Sequence, residues 1–325
     1  MLSALHDAYR RTGADLPFGD PRRAHGVGME GYFWRIADPA AGHALIVLCG
    51  ACRSRGGTWG LVGVAAHPGG TLHVEEVEHA VADPAGCGIR AGEALTGDSE
   101  RLRVDIPGAV VDLRLRASGL YARRAFGALG PAHCVPGLHQ YWHPHLLSAR
   151  VEGHAIIDGT RIDFRDAVGY AEKNWGAVFA GDWWWGQAAD LAGGEANVAF
   201  AGGRLEFGSL RVSPTSVVVG IGDDTLRLVP PLARTTISLA DGAWRLRAVG
   251  ARHTVELEGD AGGSVAHELP VPLPGQRTIV PASSRHHLAG RLELTVRRGR
   301  RMLFRGESRL AGLERGHARP VVPPR

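Results

Sequence analysis

The residues with the most chemical character in this sequence fall within positions 169–187, which read GYAEKNWGAVFAGDWWWGQ. Lys173 is the only lysine among 37 Lys and Arg side chains, and Asn174 is one of two asparagines, the other being Asn197. A composition that has turned every other basic position into Arg has kept an amine here. Lys is a compact donor whose pKa falls on burial, whereas Arg is a permanently charged planar fork. Four of the eight tryptophans, Trp175, Trp183, Trp184 and Trp185, lie in the same stretch. If 170–175 is extended, Glu172 and Asn174 share one face, and Lys173 and Trp175 share the other. Trp183, Trp185 and Gln187 likewise share a face, with Trp184 opposite. A wall of indoles holds a flat apolar ligand and stabilises a cation through its π faces. The plain alternative is core filling between sheets, the usual fate of a strand tryptophan. The polar groups among the indoles count against that reading, because burying them unpaired is costly.

A second cluster, HCVPGLHQYWHPH at 133–145, supplies His133, His139, Tyr141, Trp142, His143 and His145. Its spacing suits a metal, but Pro144 interrupts regular structure and no carboxylate accompanies the histidines. It is expected as a loop lining a pocket mouth. Cys49 and Cys52 form a CxxC with no second Cys/His pair to complete a zinc set, so they read as small buried side chains at a strand end. GVGMEG at 26–31 lacks the glycine pattern of a dinucleotide site. Neither a metal nor an organic cofactor is expected.

The elements that must position these residues read as strands. The chain has 325 residues, 46 of them Gly and 19 Pro, with 44% apolar side chains and a formal net charge of +4. Short apolar runs alternate with turn signals at Pro39–Gly42, Pro68–Gly70 and Pro107–Gly108. Val111, Leu113 and Leu115 alternate with Asp112, Arg114 and Arg116, as in a half-buried strand. A short helix is expected only at 3–11. Asp158-Gly159 marks a hairpin within 148–168, and a second hairpin turns near Gly299. Glu152 and Glu293 stand 141 positions apart, Glu172 and Glu314 142, and Trp34 and Trp185 151. These echoes predict two β halves of similar build, 1–170 and 171–325, joined within about 20 residues of position 170. The charges are scattered, and the basic run at 297–301 reads as a hairpin turn, so nucleic acid is not an expected partner. No signal-peptide core or membrane-spanning stretch is evident, which predicts a cytoplasmic protein with reduced cysteines.

GYAEKNWG, followed by the aromatic run ending in Gln187, resembles the tocopherol cyclase family. GALGPAHCVPGLHQYWHPHLLSARVEG upstream and GYFWRI near the N-terminus resemble its flanking segments, and the likeness extends roughly over residues 25–316. The family is similar to carotenoid hydratase-type proteins. The resemblance implies an all-β fold of two lipocalin-like β-barrels packed side by side, and the join near residue 170 puts the 169–187 stretch where the halves meet, a favoured place for a ligand pocket. It implies redox-neutral cyclisation, in which a quinol hydroxyl adds across a prenyl double bond without a cofactor. That chemistry needs an acid for the alkene, a wall that tolerates a cation, and an acceptor for the phenol proton. The catalytic set expected here is Glu172, Lys173, Asn174, Tyr141 and His139, with Trp34, Trp142, Trp175, Trp183, Trp185 and Gln187 binding an apolar substrate. Peripheral contact with a membrane would deliver a lipid substrate. The chain departs from the family pattern at Ala180 after Phe179, where proline is expected. His139 stands in place of a glutamate, and Trp142 in place of the histidine after the tyrosine. The rival reading is a non-catalytic lipocalin-like carrier of lipid or isoprenoid, which needs the indoles but not Glu172 and Lys173.

Overall fold

The computed structural model describes residues 3–4, 28–54, 57–83, 86–121, 127–134, 140–176, 181–207, 210–272 and 279–317. Residues 3–4 are helical, and the rest of the helix expected at 3–11 lies outside the described residues, as does His139. Nearly everything else is strand. The first sheet contains β1 (Met29–Asp38), β2 (His43–Ser54), β3 (Gly57–His67), β4 (Leu72–Val77), β5 (Ala80–Ala82), β6 (Ile89–Ala91), β7 (Leu95–Gly97), β8 (Arg101–Ile106), β9 (Ala109–Leu120), β10 (Gln140–Ile157) and β11 (Thr160–Gly176). Its order is β4-β3-β2-β1-β11-β10-β9-β8-β7-β6-β5.

The remaining strands are β12 (Asp182–Leu191), β13 (Ala196–Gly203), β14 (Leu205–Phe207), β15 (Leu210–Val212), β16 (Thr215–Ile221), β17 (Asp224–Leu228), β18 (Arg234–Ala240), β19 (Ala243–Val249), β20 (His253–Asp260), β21 (Ala266–Pro272), β22 (Ile279–Arg298) and β23 (Arg301–His317). The second sheet runs β17-β16-β13-β12-β23-β22-β20-β19-β18, with β21 also on β22, and β14 and β15 form a separate pair. The nine-strand path of the second sheet repeats the first nine strands of the first. The fold is therefore all-β, with two barrel-like sheets.

Turn chemistry sets the longest hairpins. Asp158 and Gly159 both take positive φ, 50° and 77°, as a tight two-residue turn between β10 and β11 requires. Gly299 does the same between β22 and β23 with φ 58°. Alternation then sorts side chains among separate cores, three of which bear on the site. Tyr32, Trp34 and Ile36 of β1 fill the first barrel with Val47, Leu113 and Val151. Trp184, Val198, Leu246 and Leu294 fill the second. Phe33, Trp142 and Tyr170 from the first sheet meet Trp185, Val218 and Leu288 from the second in a core between them.

The register corrects one sequence echo. Phe33 pairs with Glu172 across β1 and β11, and Trp185 pairs with Glu314 across β12 and β23. Phe33, not Trp34, is thus the counterpart of Trp185. A slip of one residue in a strand moves a side chain to the other face. The 133–145 stretch is also not a single loop. His133 lies in a short 3-10 turn, Gly130–Cys134, and 140–145 open β10. Pro144 falls where the β10–β11 register shifts between His143 and Leu146, a position where strand proline is tolerated.

Candidate active site

Between the two sheets lies a cavity of about 370 Å³. Its wall is mostly apolar and includes Phe33 and Leu48 from the first sheet and Trp183, Trp185 and Ala201 from the second. The volume falls in the range of small-molecule pockets. Two carboxylates face it, Glu172 from β11 and Glu314 from β23.

Glu172 is buried, and three donors converge on one of its oxygens. Trp142 Nε1 donates to Oε2 at 2.7 Å, Trp185 Nε1 at 2.8 Å and Tyr170 Oη at 2.5 Å. Oε1 has no hydrogen-bond partner among the described residues. Burial pushes the carboxyl up to about 7, against the downward pull of the three donors, and the charge of Glu314 adds to the rise. A protonated Glu172 keeps Oε2 as the acceptor of those hydrogen bonds and carries its proton on Oε1. The same burial, with Glu172 beside it, holds the Tyr170 phenol well above its ordinary value, so Tyr170 acts as a donor.

Glu314 is held differently. Trp183 Nε1 donates to Oε1 at 2.7 Å and Ser284 Oγ at 2.6 Å, while His286 Nδ1 lies 2.9 Å from Oε2. Burial pushes this carboxyl up, but His286, Ser284 and Trp183 together bring it below its ordinary value. One wall thus offers a carboxyl that holds its proton up to about pH 7, and the other a carboxyl held below its ordinary value. Neighbouring carboxyls with separated pKa values mark acid and base roles.

The expected site residues do not all meet the cavity. Glu172, Asn174, Tyr141, Trp142, Trp183 and Trp185 line the cavity, and Asn174 Oδ1 is a buried acceptor with no hydrogen-bond partner among the described residues. Lys173 points the other way, into the first barrel. Its Nζ lies 3.1 Å from Glu30 Oε2, and over the rings of Tyr32 and Trp175 at 5.3 and 5.5 Å. Burial lowers its pKa and Glu30 opposes the fall. Trp175 stacks on Tyr141 and His133, with centroids 5.4 and 6.0 Å away. Trp34 is fully buried in the first barrel and donates from Nε1 to the Asp98 carbonyl at 2.9 Å. Gln187 sits outside the cavity wall and accepts from Arg35 Nη1 at 3.1 Å. Glu314, His286, Ser284 and Tyr170 were not singled out as site residues by the sequence. The echo of Glu172 at Glu314 was the signal that points to the first, and the others lie on the same-face positions flanking each carboxylate.

The sequence profile of the tocopherol cyclase-like family matches residues 140–317, which span β10 to β23 and both carboxylates. A probable chloroplastic tocopherol cyclase of Oryza sativa subsp. japonica is 30% identical over 128 residues, 38% of this chain and 27% of that protein. The chloroplastic tocopherol cyclase of Zea mays is 28% identical over the same shares. The chain therefore matches about a quarter of the length of these curated relatives. Solved structures share the fold at low identity. A putative AttH from Nitrosomonas europaea has a TM-score of 0.53 at 12% identity, covering 90% of this chain and 92% of that one. Kievitone hydratase from Nectria haematococca has a TM-score of 0.52 at 13%, covering 90% and 89%. CghA with Sch210972 has a TM-score of 0.56 at 14%, covering 89% and 88%. Matched by that profile over more than half its length, the chain belongs to the tocopherol cyclase-like family.

Proposed function

We propose that the protein catalyses redox-neutral, acid-initiated cyclisation of an apolar prenylated phenol or related isoprenoid in the cavity between its two sheets. The two sheets are read as two lipocalin-like domains that share the site. The observation that carries this reading is Glu172, a buried carboxyl with all its donors on Oε2 and a pKa raised to about 7. Such a group stores a transferable proton on Oε1, against an apolar wall. Protonation of the substrate alkene generates a carbocation, which the π faces of the cavity indoles stabilise. Attack by the phenol oxygen forms the C–O bond as its O–H breaks, so the product is an isomer of the substrate. Membership of a cyclase-like family and likeness to a hydratase support acid–alkene chemistry of this class.

The test is incubation of purified protein with a panel of prenyl phenols and quinols, followed by mass spectrometry for new species of unchanged mass. Turnover by wild type and its loss in Glu172→Gln is the expected result. Tight binding without turnover of any panel member would favour the carrier reading instead.

A further inference from the structure

We propose that Glu314, positioned by His286, receives the substrate hydroxyl and takes its proton as the oxygen attacks. This rests on the cyclisation reading of the same cavity and adds the second half of its chemistry. Three observations carry it. Glu314 lines the cavity, and 14% of its side chain is exposed. It is fixed from both oxygens, by Trp183 and Ser284 on Oε1 and by His286 on Oε2. Finally, its indole anchor is two residues from that of Glu172 on one strand face, Trp183 against Trp185. Same-face neighbours on a strand are about 7 Å apart, so one substrate ring and its prenyl double bond can address both carboxyls.

The environment keeps Glu314 a base. A carboxylate that only filled space would be cheaper to replace by an apolar side chain. Here three donors hold it below its ordinary pKa despite burial. His286 is fully buried, and its ring packs against Phe33 and Trp185, with centroids 5.6 and 5.3 Å away. Its role is positional, since it reaches the substrate only through Glu314.

The step balances. Glu172 Oε1 gives a proton to the alkene, the π pair becomes the new C–H bond, and the cation accepts a lone pair from the hydroxyl oxygen. The O–H bond breaks with its pair kept by oxygen, and the proton moves to Glu314. After product leaves, Glu314 loses that proton to water and Glu172 regains one from water. No oxidant or reductant takes part.

The test compares binding of 2-geranylphenol and its methyl ether by quenching of tryptophan fluorescence. Wild type is expected to prefer the phenol by at least about tenfold, the scale of one hydrogen bond to a charged group. Glu314→Gln should shrink that preference to below about threefold with an unchanged melting temperature, while Glu172→Gln keeps it. Turnover should fall by about 10²–10⁴-fold in Glu314→Gln, and the loss should narrow on ring-fluorinated, more acidic phenols. Should Glu314→Gln fail to fold, the wild type alone decides, because its affinity must rise along the fluorinated series. Equal binding of phenol and ether by wild type, or a preference untouched in folded Glu314→Gln, overturns the assignment and leaves the cyclisation reading standing. Binding of neither compound overturns both. Hydroxyl preference lost with Glu314 but no turnover of any substrate sinks the cyclisation reading and upholds Glu314 as the hydroxyl-binding group.

Discussion

Glu172 and Lys173 are neighbours in sequence with opposite fates, and the difference is one of strand face. Glu172 meets the cavity with a native pKa of about 7 against an ordinary 4.5. As the acid, it must be protonated, so turnover should fall as pH rises through about 7, and Glu172→Gln should remove the activity. A raised carboxyl pKa also means the folded state holds the proton more tightly than the unfolded one. That stabilising contribution is complete below 4.5 and is lost as pH rises through about 7, a change of about 3 kcal/mol. Melting temperatures of wild type should therefore decline relative to Glu172→Gln across that window, and parallel curves would sink the assignment. Lys173 forms a buried pair with Glu30 inside the first barrel. Lys173→Met takes the cation from a buried carboxylate and should cost about 3–5 kcal/mol, while turnover per folded molecule stays near wild type. The unusual status of Lys173 was legible from composition, and alternation separated it correctly from Glu172. Which face would meet the cavity was not legible, because both faces of β11 are covered by protein over residues 169–176.

At the scale of the strand, glycines and a buried Arg set where the indoles lie. β23 carries Gly312 and Gly316 against Trp185 and Trp183 of β12. A Cβ on Gly312 would stand 2.9 Å from Trp185 Cζ3 and 2.7 Å from Arg35 Nε, and one on Gly316 would overlap the Trp183 ring. These absences of side chain let the two indoles lie flat across β23 and aim Nε1 at the carboxylates. Gly316→Ala should displace Trp183 from Glu314 and cut turnover at least about tenfold, with a shifted tryptophan emission as the direct readout. Arg35 of β1 crosses to the other sheet, donating to Gln187 of β12 and to the Leu288 and Leu310 carbonyls of β22 and β23. Burial lowers its pKa to about 10, with Asp190 opposing. Arg35→Met strands three acceptors and should cost about 3 kcal/mol without changing the pH profile of turnover, as urea unfolding and kinetics together would read. Gln187, expected on the substrate, is spoken for by this contact. Its position on the same face as Trp185 was readable from spacing, but its partner 152 positions earlier depends on how two sheets meet.

On the scale of the whole molecule, the repeat explains why the site lies where it does. Strand orders match from β1, β2 and β11 to β12, β13 and β23, which makes Phe33 the counterpart of Trp185, Arg35 of Gln187 and Glu172 of Glu314. Counterparts touch across the junction: Phe33 packs on Trp185 with centroids 5.3 Å apart, and Arg35 bonds Gln187. The two carboxyls therefore face one cavity as related positions, and their pKa values move apart: burial raises Glu172 against its three donors, while His286, Ser284 and Trp183 outweigh burial and lower Glu314. The echoes in sequence exposed this duplication within one residue, since strands and turns repeat locally. The one-residue error arose because alternation fixes faces only relative to each other until hydrogen bonds fix the register. Each half alone would bare an apolar face, Phe33, Trp142 and Tyr170 on one and Trp185, Val218 and Leu288 on the other. Exposed contiguous apolar patches of this kind drive association. Cutting the chain between residues 178 and 179 and co-expressing both pieces should yield a one-to-one complex that still quenches on binding 2-geranylphenol. Either piece expressed alone should aggregate or self-associate, as size-exclusion chromatography would report. Two soluble monomeric halves that ignore each other would mean that the shared core does not hold the sheets together, and the placement of one site between them would fall with it.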